Sequence, residues 1–355
     1  MRILYGLCGE GMGHAVRSSV VVRHLLSRGH SVQLACSEGR ALGALRRDFG
    51  HFNVVKIPGL QSVTVRGIVH PELTLARNLL GGLLTSPVNH LMGWLSLKPF
   101  DAVISDFDPW TARLAGLTGK PLLAIDNIHF LTRCSHPSWM IGKDLHAAAA
   151  MFPVVSGMVP SASRYLVTSI ASAPVVKDRT TLHAPILRPE VFALRGAPRE
   201  NHLVAYFNDR MDADETIRAL DATSEDVHVY GMGIDGVVGK VSMRPMGDAF
   251  LQDLATSKGC IGGGGFTLMS EAIYLGVPLL SIPIQGQFEQ RLNGLYLEAM
   301  GYGETCSLGE LRNRLGPFLQ RGDAYRNRLK GLKHDGNVGL LRDVDIFLGP
   351  LPCCS

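Results

Sequence analysis

Short apolar runs alternate with stretches of helical spacing along the first part of the chain. Ile3–Cys8 reads as a fully buried strand, and Ala15–Ser27 as a helix with apolar positions at Val16, Val20 and Leu25 or Leu26. Ser31–Cys36 and Phe52–Ile57 are the next strands. Ala102–Ser105, entered from Asp101, and Leu122–Ile125, entered from Pro121, continue the series. Strands that are apolar on both faces and alternate with helices predict a parallel, doubly wound sheet with ligands at the carboxyl ends of its strands. After Arg195-Gly196-Ala197-Pro198-Arg199, which reads as a linker, the pattern begins again. Strands are expected at Leu203–Phe207, Val227–Tyr230, Cys260–Ile261 and Pro278–Ile282, with helices between them. No repeat of fixed period relates the two series. The expected fold is therefore α/β, two Rossmann-like domains facing across a cleft, at residues 1–195 and 196–335. Residues 336–355 hold an amphipathic segment, Leu340–Leu348, expected as a C-terminal helix and tail able to pack back on the N-terminal domain.

Composition supports a globular reading and removes several others. With 355 residues, 46% of them hydrophobic and 19% charged, the chain is long enough for two cores. Leu73–Leu97 is apolar, yet Arg77, Pro87 and His90 interrupt it and Gly81-Gly82 weakens it as a helix. It falls short of the roughly 20 uninterrupted apolar residues a membrane span requires. It reads as the wall of an apolar pocket, as a surface resting on a membrane, or as a core helix. Seven cysteines, with no CxxC pair and no Cys/His cluster, predict neither a disulfide framework nor a structural metal. Strand residues follow the first Met directly, so no leader is expected and a reducing cytoplasm is the expected compartment. The net charge of +4 is unevenly spread: residues 1–195 hold 20 Lys+Arg against 11 Asp+Glu, a balance of +9, and residues 196–355 hold 15 against 20, a balance of −5. A basic half draws anionic ligands or an anionic membrane surface. No dense Lys/Arg run interleaved with aromatics appears, which sets nucleic acid aside.

Two glycine-rich loops carry the chemistry. Gly9-Glu10-Gly11-Met12-Gly13-His14 follows the first strand and opens the first helix. Glycines such as Gly11 and Gly13 let backbone approach a ligand, and the helix N-terminus favours negative charge. Gly9 and Gly11 fit the first two positions of a dinucleotide fingerprint, with Glu38 as its ribose acid. His14 stands where that fingerprint needs its third glycine, so the dinucleotide reading fails. A histidine at this junction faces the ligand end of the sheet and suits general-base chemistry; the plainer alternative is a helix cap. Ser105-Asp106-Phe107-Asp108 ends a strand on the same side, and a carboxylate there would fix one imidazole tautomer. Asp106 and Asp108 are both candidates, with Asp106 preferred.

The second loop is longer. Cys260-Ile261 runs into Gly262-Gly263-Gly264-Gly265-Phe266-Thr267, then through Glu271 to Gly276-Val277-Pro278. Four glycines after a strand bare the amides at the start of the next helix, which together with the helix dipole can neutralise a diphosphate. Glu271 lies along that helix with a carboxylate suited to ribose hydroxyls. Pro283 precedes Glu289-Gln290-Arg291-Leu292-Asn293, whose first two residues offer an acceptor and an amide to a sugar rim.

This second segment resembles the donor-binding signature of inverting glycosyltransferases of the GT-B fold. That group includes the UDP-glycosyltransferases and the peptidoglycan enzyme that adds N-acetylglucosamine to a lipid-linked intermediate. The matching positions are Gly264, Gly265, Glu271, Gly276-Val277-Pro278, Pro283 and Glu289-Gln290 with Asn293. The first loop is similar to a prokaryotic branch with G-x-G-x-G-H after its first strand. Gly263 stands where plant members carry a phosphate-binding His and where retaining GT-B enzymes often carry a Glu. The resemblance thus implies phosphate binding by backbone amides, and inversion. It also implies diphosphate contacts from Asn208 and Arg210, joining Gly263, Gly264, Gly265, Phe266 and Thr267, and a nucleobase near Met243 and Arg244.

The activity so implied is transfer of a hexose or N-acetylhexosamine from a nucleotide-diphosphate sugar, UDP by resemblance, without cofactor or metal. His14 is then the base and Asp106 its support. The acceptor, a small natural product or a lipid-linked glycan, would sit mainly in the N-terminal half, with peripheral membrane contact at the inner face an open option. Two rivals share the donor pocket. A nucleotide-sugar 2-epimerase or hydrolase would consume donor without acceptor, and a non-catalytic binder would turn nothing over.

Overall fold

Alternation of buried strands with helices resolves into two seven-stranded sheets. The structure is a computed structural model that describes residues 1–349 other than 51–52, 60–62, 66–67, 70–72, 74–92, 143, 208–212 and 333. Its residues form two units, one of Met1–Val63, His70–Ile186 and Gly336–Ser355 and one of Thr64–Val69 and Leu187–Asp335.

In the first unit β1 (Arg2–Leu7), β2 (Ser31–Ser37) and β3 (Val54–Ile57) form one flank of the sheet. The short hairpin β4 (Thr64–Val65) and β5 (Ile68–Val69) falls in the second unit. The other flank is β6 (Ala102–Asp106), β7 (Leu122–Asp126), β8 (Arg164–Thr168) and β9 (Thr180–His183). The order is β3-β2-β1-β6-β7-β8-β9, parallel throughout. Strand order reverses at β1 and β6, and the crevice outside the carboxyl ends of such a pair is where open α/β sheets bind ligands. Helices α1 (Met12–Ser27), α2 (Arg40–Phe49), α3 (Pro109–Thr118), α4 (Phe130–Arg133) and α5 (Leu145–Met158) fill the connections.

The buried face of α1 differs from the one expected. Val16 and Val20 are only half-buried and Leu26 is 46% exposed, whereas Ala15, Arg17, Ser18, Val21, Val22 and Leu25 are buried. The reason is at the strand ends. The first turns of α1 lie over Asp106, so Arg17 and Ser18 point inward to satisfy it, interrupting the apolar stripe of Ala15, Val21, Val22 and Leu25.

The second unit repeats the plan with β10 (His202–Tyr206), β11 (Asp226–Tyr230), β12 (Gly236–Val238), β13 (Val241–Arg244), β14 (Cys260–Gly262), β15 (Leu279–Ser281) and β16 (Gly303–Thr305). Its order is β12-β13-β11-β10-β14-β15-β16, parallel except for the edge strand β12. The reversal here lies at β10 and β14. Among its helices, α6 (Ala249–Thr256), α7 (Phe266–Leu275) and α8 (Phe288–Ala299) flank β13 and the second glycine loop in sequence. Gly276 ends α7 in the left-handed region, φ 70°, where a side chain would strain the backbone. Arg199 donates to Leu275 O at 2.7 Å and Gly276 O at 3.0 Å, capping the negative end of α7. Finally α9 (Asn337–Leu348) lays Leu340, Val344 and Leu348 into the first unit's core beside Val21, Leu25 and Ile104. Each such side chain, fully buried, contributes about 1.5–3 kcal/mol relative to exposure.

Candidate functional site

The carboxyl end of β1 carries the first site. Leu7 pairs in register with Asp106 at the end of β6, so the loop after β1 passes directly over that carboxylate. Gly9 allows the turn because its backbone touches the loop after β2: a Cβ there would lie 2.0 Å from Ser37 O. Gly11 is the N-cap of α1, Met12 and Gly13 begin the helix, and His14 follows in its first turn. His14 Nδ1 lies 2.9 Å from Asp106 Oδ1, and the imidazole keeps 14% exposure while Asp106 has none.

Asp106 is gripped from several directions. Arg17 donates through Nε to Oδ2 at 2.7 Å and through Nη2 to Oδ1 at 2.5 Å, and Ser18 Oγ donates to Oδ2 at 3.0 Å. Arg17 Nη1 donates to Asn127 Oδ1 at 2.5 Å, just after β7, and its Nη2 lies 2.8 Å from His14 Nδ1. Burial pushes the Asp106 carboxyl up, but Arg17 and His14 outweigh burial and hold it at about 2. Asp108 does something else. It is the N-cap of α3, accepting from Thr111 N at 2.7 Å and Thr111 Oγ1 at 2.5 Å, and burial raises its carboxyl to about 6. Phe107 between them is held at φ 54°, a left-handed conformation that costs a bulky residue about 1–3 kcal/mol.

A second His–carboxylate pair follows β7. Asp126 accepts from the His129 backbone N–H at 2.8 Å, and His129 Nδ1 sits 2.7 Å from Asp126 Oδ2. Both residues are 1% exposed, and His129 Nε2 has no hydrogen-bond partner among the described residues. Beyond α4, a pocket of about 480 Å³ is lined largely by apolar groups, among them Leu131, Cys134, Ile141, Phe152 and Val176.

The second unit's loop is built from backbone. A Cβ on Gly264 would lie 2.5 Å from Gln290 O, so that glycine is required by packing; on Gly265 it would meet nothing within 4 Å, and on Gly263 nothing closer than 3.6 Å. Gly265 is the N-cap of α7, and the helix has no side-chain cap and no acid in its first turn, through Phe266 and Thr267. Its first amides thus meet no negative side chain of the helix itself. Asn293 stitches the loop to α8, donating to Gly264 O and to Glu289 Oε1, each at 3.1 Å; the i, i+4 spacing puts Glu289 and Asn293 on one helix face. Gln290, 7% exposed, accepts from the Ile284 N–H at 3.0 Å. Glu271 is buried on α7 and held in a fork by Arg188, at 2.7 and 2.9 Å. Burial opposes the Arg188 charge, and Glu271 more than restores it. Asn208 and Arg210 lie outside the described residues, as do 74–92 of the apolar stretch and Cys353 and Cys354.

Met243 and Arg244 lie on β13. Arg244 donates to Asp253 Oδ2 at 2.7 Å and lies 2.9 Å from His228 Nε2, while Tyr230 Oη donates to Asp253 at 2.6 Å. Since guanidinium only donates, His228 Nε2 is the acceptor and its Nδ1–H faces Asp253 Oδ2 at 2.7 Å. Burial and Arg244 both lower the His228 pKa, which favours this neutral form. His202, His228 and Asp253 are close enough together to be weighed as metal ligands. Yet the imidazoles are stacked 4.4 Å apart at 17°, so their ring planes, and the lone pairs in them, do not converge on one ion. The arrangement suits a hydrogen-bonded network around the Arg244 guanidinium.

Sequence reasoning passed over Arg17, Arg188 and His129. Arg17 left a signal: with His14, Val21 and Leu25 it sits at helical spacing on one face, so the inward stripe continues through a charge. Arg188 left none, since its partner lies 83 residues away.

Comparison with known proteins agrees with this architecture. A family model described as glycosyl transferase family 1 matches residues 1–322. A Methanosarcina acetivorans protein described as an uncharacterised glycosyltransferase is 24% identical over 364 residues, which span 94% of this chain and 93% of that one. The solved glycotransferase of kitacinnamycin superposes with a TM-score of 0.67 at 16% identity, covering 99% of each chain. LpCGTa, solved in complex with UDP, gives 0.63 at 14% identity over 99% of this chain and 100% of its own. The structures establish the shared fold, the two-unit GT-B architecture, and the match over residues 1–322 establishes the lineage: the chain belongs to glycosyl transferase family 1, the GT-B glycosyltransferases.

Proposed function

We propose that the chain transfers a hexose or N-acetylhexosamine from UDP-sugar to an acceptor hydroxyl with inversion at the anomeric carbon. The observation that carries this reading is the His14 Nδ1–Asp106 Oδ1 approach of 2.9 Å at the carboxyl end of β1 and β6. Asp106 is ionised and accepts the Nδ1–H, which leaves Nε2 to take the acceptor proton. The acceptor oxygen bonds to the anomeric carbon as the sugar–phosphate bond breaks, and the diphosphate departs with its electron pair. The amides of Gly263–Thr267 stabilise that charge without rearranging, and Asn208 and Arg210 assist. Glu271 receives the ribose hydroxyls, the β13 segment at Met243 and Arg244 the base, and Glu289 and Gln290 the sugar. UDP is chosen because LpCGTa, of like fold, was solved with it. No step of this scheme uses a metal. The apolar pocket beyond α4 suits the non-sugar body of a natural product or lipid-linked acceptor. The described cysteines, Cys8, Cys36, Cys134, Cys260 and Cys306, are free thiols, which suits a reducing cytoplasm. Among the described residues no helix is long and apolar enough to cross a membrane.

The test is incubation with a panel of UDP-sugars and acceptors, following UDP release and the anomeric configuration of the product. An inverted glycoside formed only with acceptor supports the reading. Donor consumed equally without acceptor would replace it with a hydrolase or epimerase, and binding without turnover across the panel would leave a nucleotide-sugar binder.

A further inference from the structure

We infer that Arg17 is a positioning residue for His14: by gripping both oxygens of Asp106 it cancels that carboxylate's charge and governs which imidazole nitrogen carries the proton. The inference rests on the proposed role of His14 as the base, and its test is independent of that role.

A histidine beside an uncompensated buried carboxylate is drawn toward imidazolium, and an imidazolium cannot accept a proton. Here the carboxylate is not alone. Arg17 forms a two-point ion pair with Asp106, the Arg17 side chain 4% exposed and the carboxylate not at all. With His14 neutral, the trio of His14, Asp106 and Arg17 has no net charge, so the pull toward imidazolium is largely removed. Other titratable groups also face this point. Asp126, the last residue of β7, adds a second negative charge near Arg17 and accepts hydrogen bonds from His129. Burial keeps the Tyr5 phenol on β1 protonated and raises the Cys8 thiol to about 12, so both stay neutral. Glu10, in the loop before α1, and Asp108, raised to about 6 by burial and held by Thr111, are further carboxylates acting on Cys8.

The geometry also bears on the tautomer. Asp106 Oδ1 and Arg17 Nη2 lie 2.9 and 2.8 Å from the same His14 Nδ1. If Nδ1 carries the proton it donates to Asp106, and Nε2 is free to act as base. If Nε2 carries it, Nδ1 accepts from Arg17 and the base is blocked. Both groups converge on Nδ1, and Arg17 favours the first state because its Nη2 is engaged by Asp106 Oδ1 at 2.5 Å, closer than its 2.8 Å approach to Nδ1, while its Nε bond and its tie to Asn127 Oδ1 hold Oδ1 within reach of Nδ1–H. Lysine cannot make these bonds together, because it offers a point charge and not a planar fork.

The experiment is ¹⁵N NMR of the His14 ring in the full-length protein without substrate, across pH, in wild type, Arg17→Gln, Arg17→Lys, Asp106→Asn and Arg17→Gln/Asp106→Asn. Wild type should show the Nδ1–H tautomer. Arg17→Gln should raise the His14 titration midpoint by about one pH unit or more, and Asp106→Asn should lower it. The double variant should return near wild type. Arg17→Lys should hold the midpoint while mixing the tautomers. If Arg17→Gln does not fold, Asp106→Asn against the double variant asks the same question, and removing Arg17 must again raise the midpoint. A purely structural Arg17 would lower the melting temperature of its variants and leave midpoint and tautomer unmoved, which would overturn the inference. A fully active His14→Ala enzyme would end the base assignment alone.

Discussion

The two sheets have the same number of strands and each reverses its order once, yet their carboxyl ends are furnished in opposite ways. At the end of β1 and β6 the chain buries a guanidinium, a carboxylate and an imidazole in one hydrogen-bonded cluster. At the end of β14 it presents glycine backbone and a helix start with no acid in its first turn. The contrast follows from what each end is proposed to handle. Proton transfer needs titratable groups whose charges are balanced before substrate arrives. Stabilising a departing diphosphate needs donors that carry no anion of their own and need not reorganise. Net charge alone would mislead here, because the half proposed to bind the anionic donor is the one with a balance of −5. Screening over about 8 Å at physiological salt makes the local amides count for more than the sum over the domain.

The sharpest way to break the contrast is at Arg17. Arg17→Ala leaves Asp106 charged, buried and half-unpaired, and losing one partner of such a pair costs about 3–5 kcal/mol. A melting temperature within a degree or two of wild type would mean that the cluster is better hydrated than its zero exposure implies. His14→Ala should act on rate instead, lowering kcat by about 10²–10⁴-fold with nearly normal UDP affinity. Turnover measured on protein shown to be folded checks this. The bland alternative, a helix-end residue with no part in the chemistry, predicts intact activity.

How far these two ends were legible in the sequence differs for a physical reason. A loop made of backbone announces itself, since glycine is the residue that bares amides and its neighbours follow at helical spacing. Gly262–Gly265, Glu271 and Glu289 with Asn293 could all be marked by eye. The buried cluster was half legible: His14 and Asp106 ended recognisable elements, but Arg17 looked like any charge on a surface helix until its partner was known. Choosing between Asp106 and Asp108 also needed coordinates, because Asp108 turned out to cap α3. The strands missed entirely, β4, β5, β8, β9, β12, β13 and β16, are short, two to five residues each. β9 is half-buried along its whole length, β12 is an exposed edge, and β16 is Gly303–Thr305 with a central Glu304. β8, with Tyr165, Leu166 and Val167 all buried, carried a fair strand signal that its polar flanks, Arg164 and Thr168, cut short.

On the proposed donor side the expected effects are smaller, and the Arg188 fork complicates them. Glu271→Ala should weaken UDP binding by about 1.5–3 kcal/mol, the worth of hydrogen bonds to a charged group. It also strands a largely buried Arg188, so some stability is lost as well. Glu271→Gln separates the two, since it keeps the shape while losing the charge. Calorimetry should then show a smaller loss of UDP affinity than with Ala, and unchanged affinity in both variants would put the ribose elsewhere.

The smallest effect expected is none at all: removing divalent metal should leave UDP affinity unchanged. Amides at the start of α7 carry the positive ends of the helix's peptide dipoles, worth about half an elementary charge, and they are fixed before the diphosphate arrives. The described residues do contain one His/Asp group close enough to be tested as an alternative, His202, His228 and Asp253. Its stacked imidazoles and the Arg244 guanidinium already seated against Asp253 and His228 make it a poor holder for an ion. Calorimetric titration of UDP with and without EDTA decides the matter. If chelation abolishes binding, the comparison between a charged end and a backbone end fails. Asp253→Ala would then show whether the lost ion sat there: an EDTA-sensitive wild type beside a metal-insensitive, weakly binding variant would assign it to this cluster.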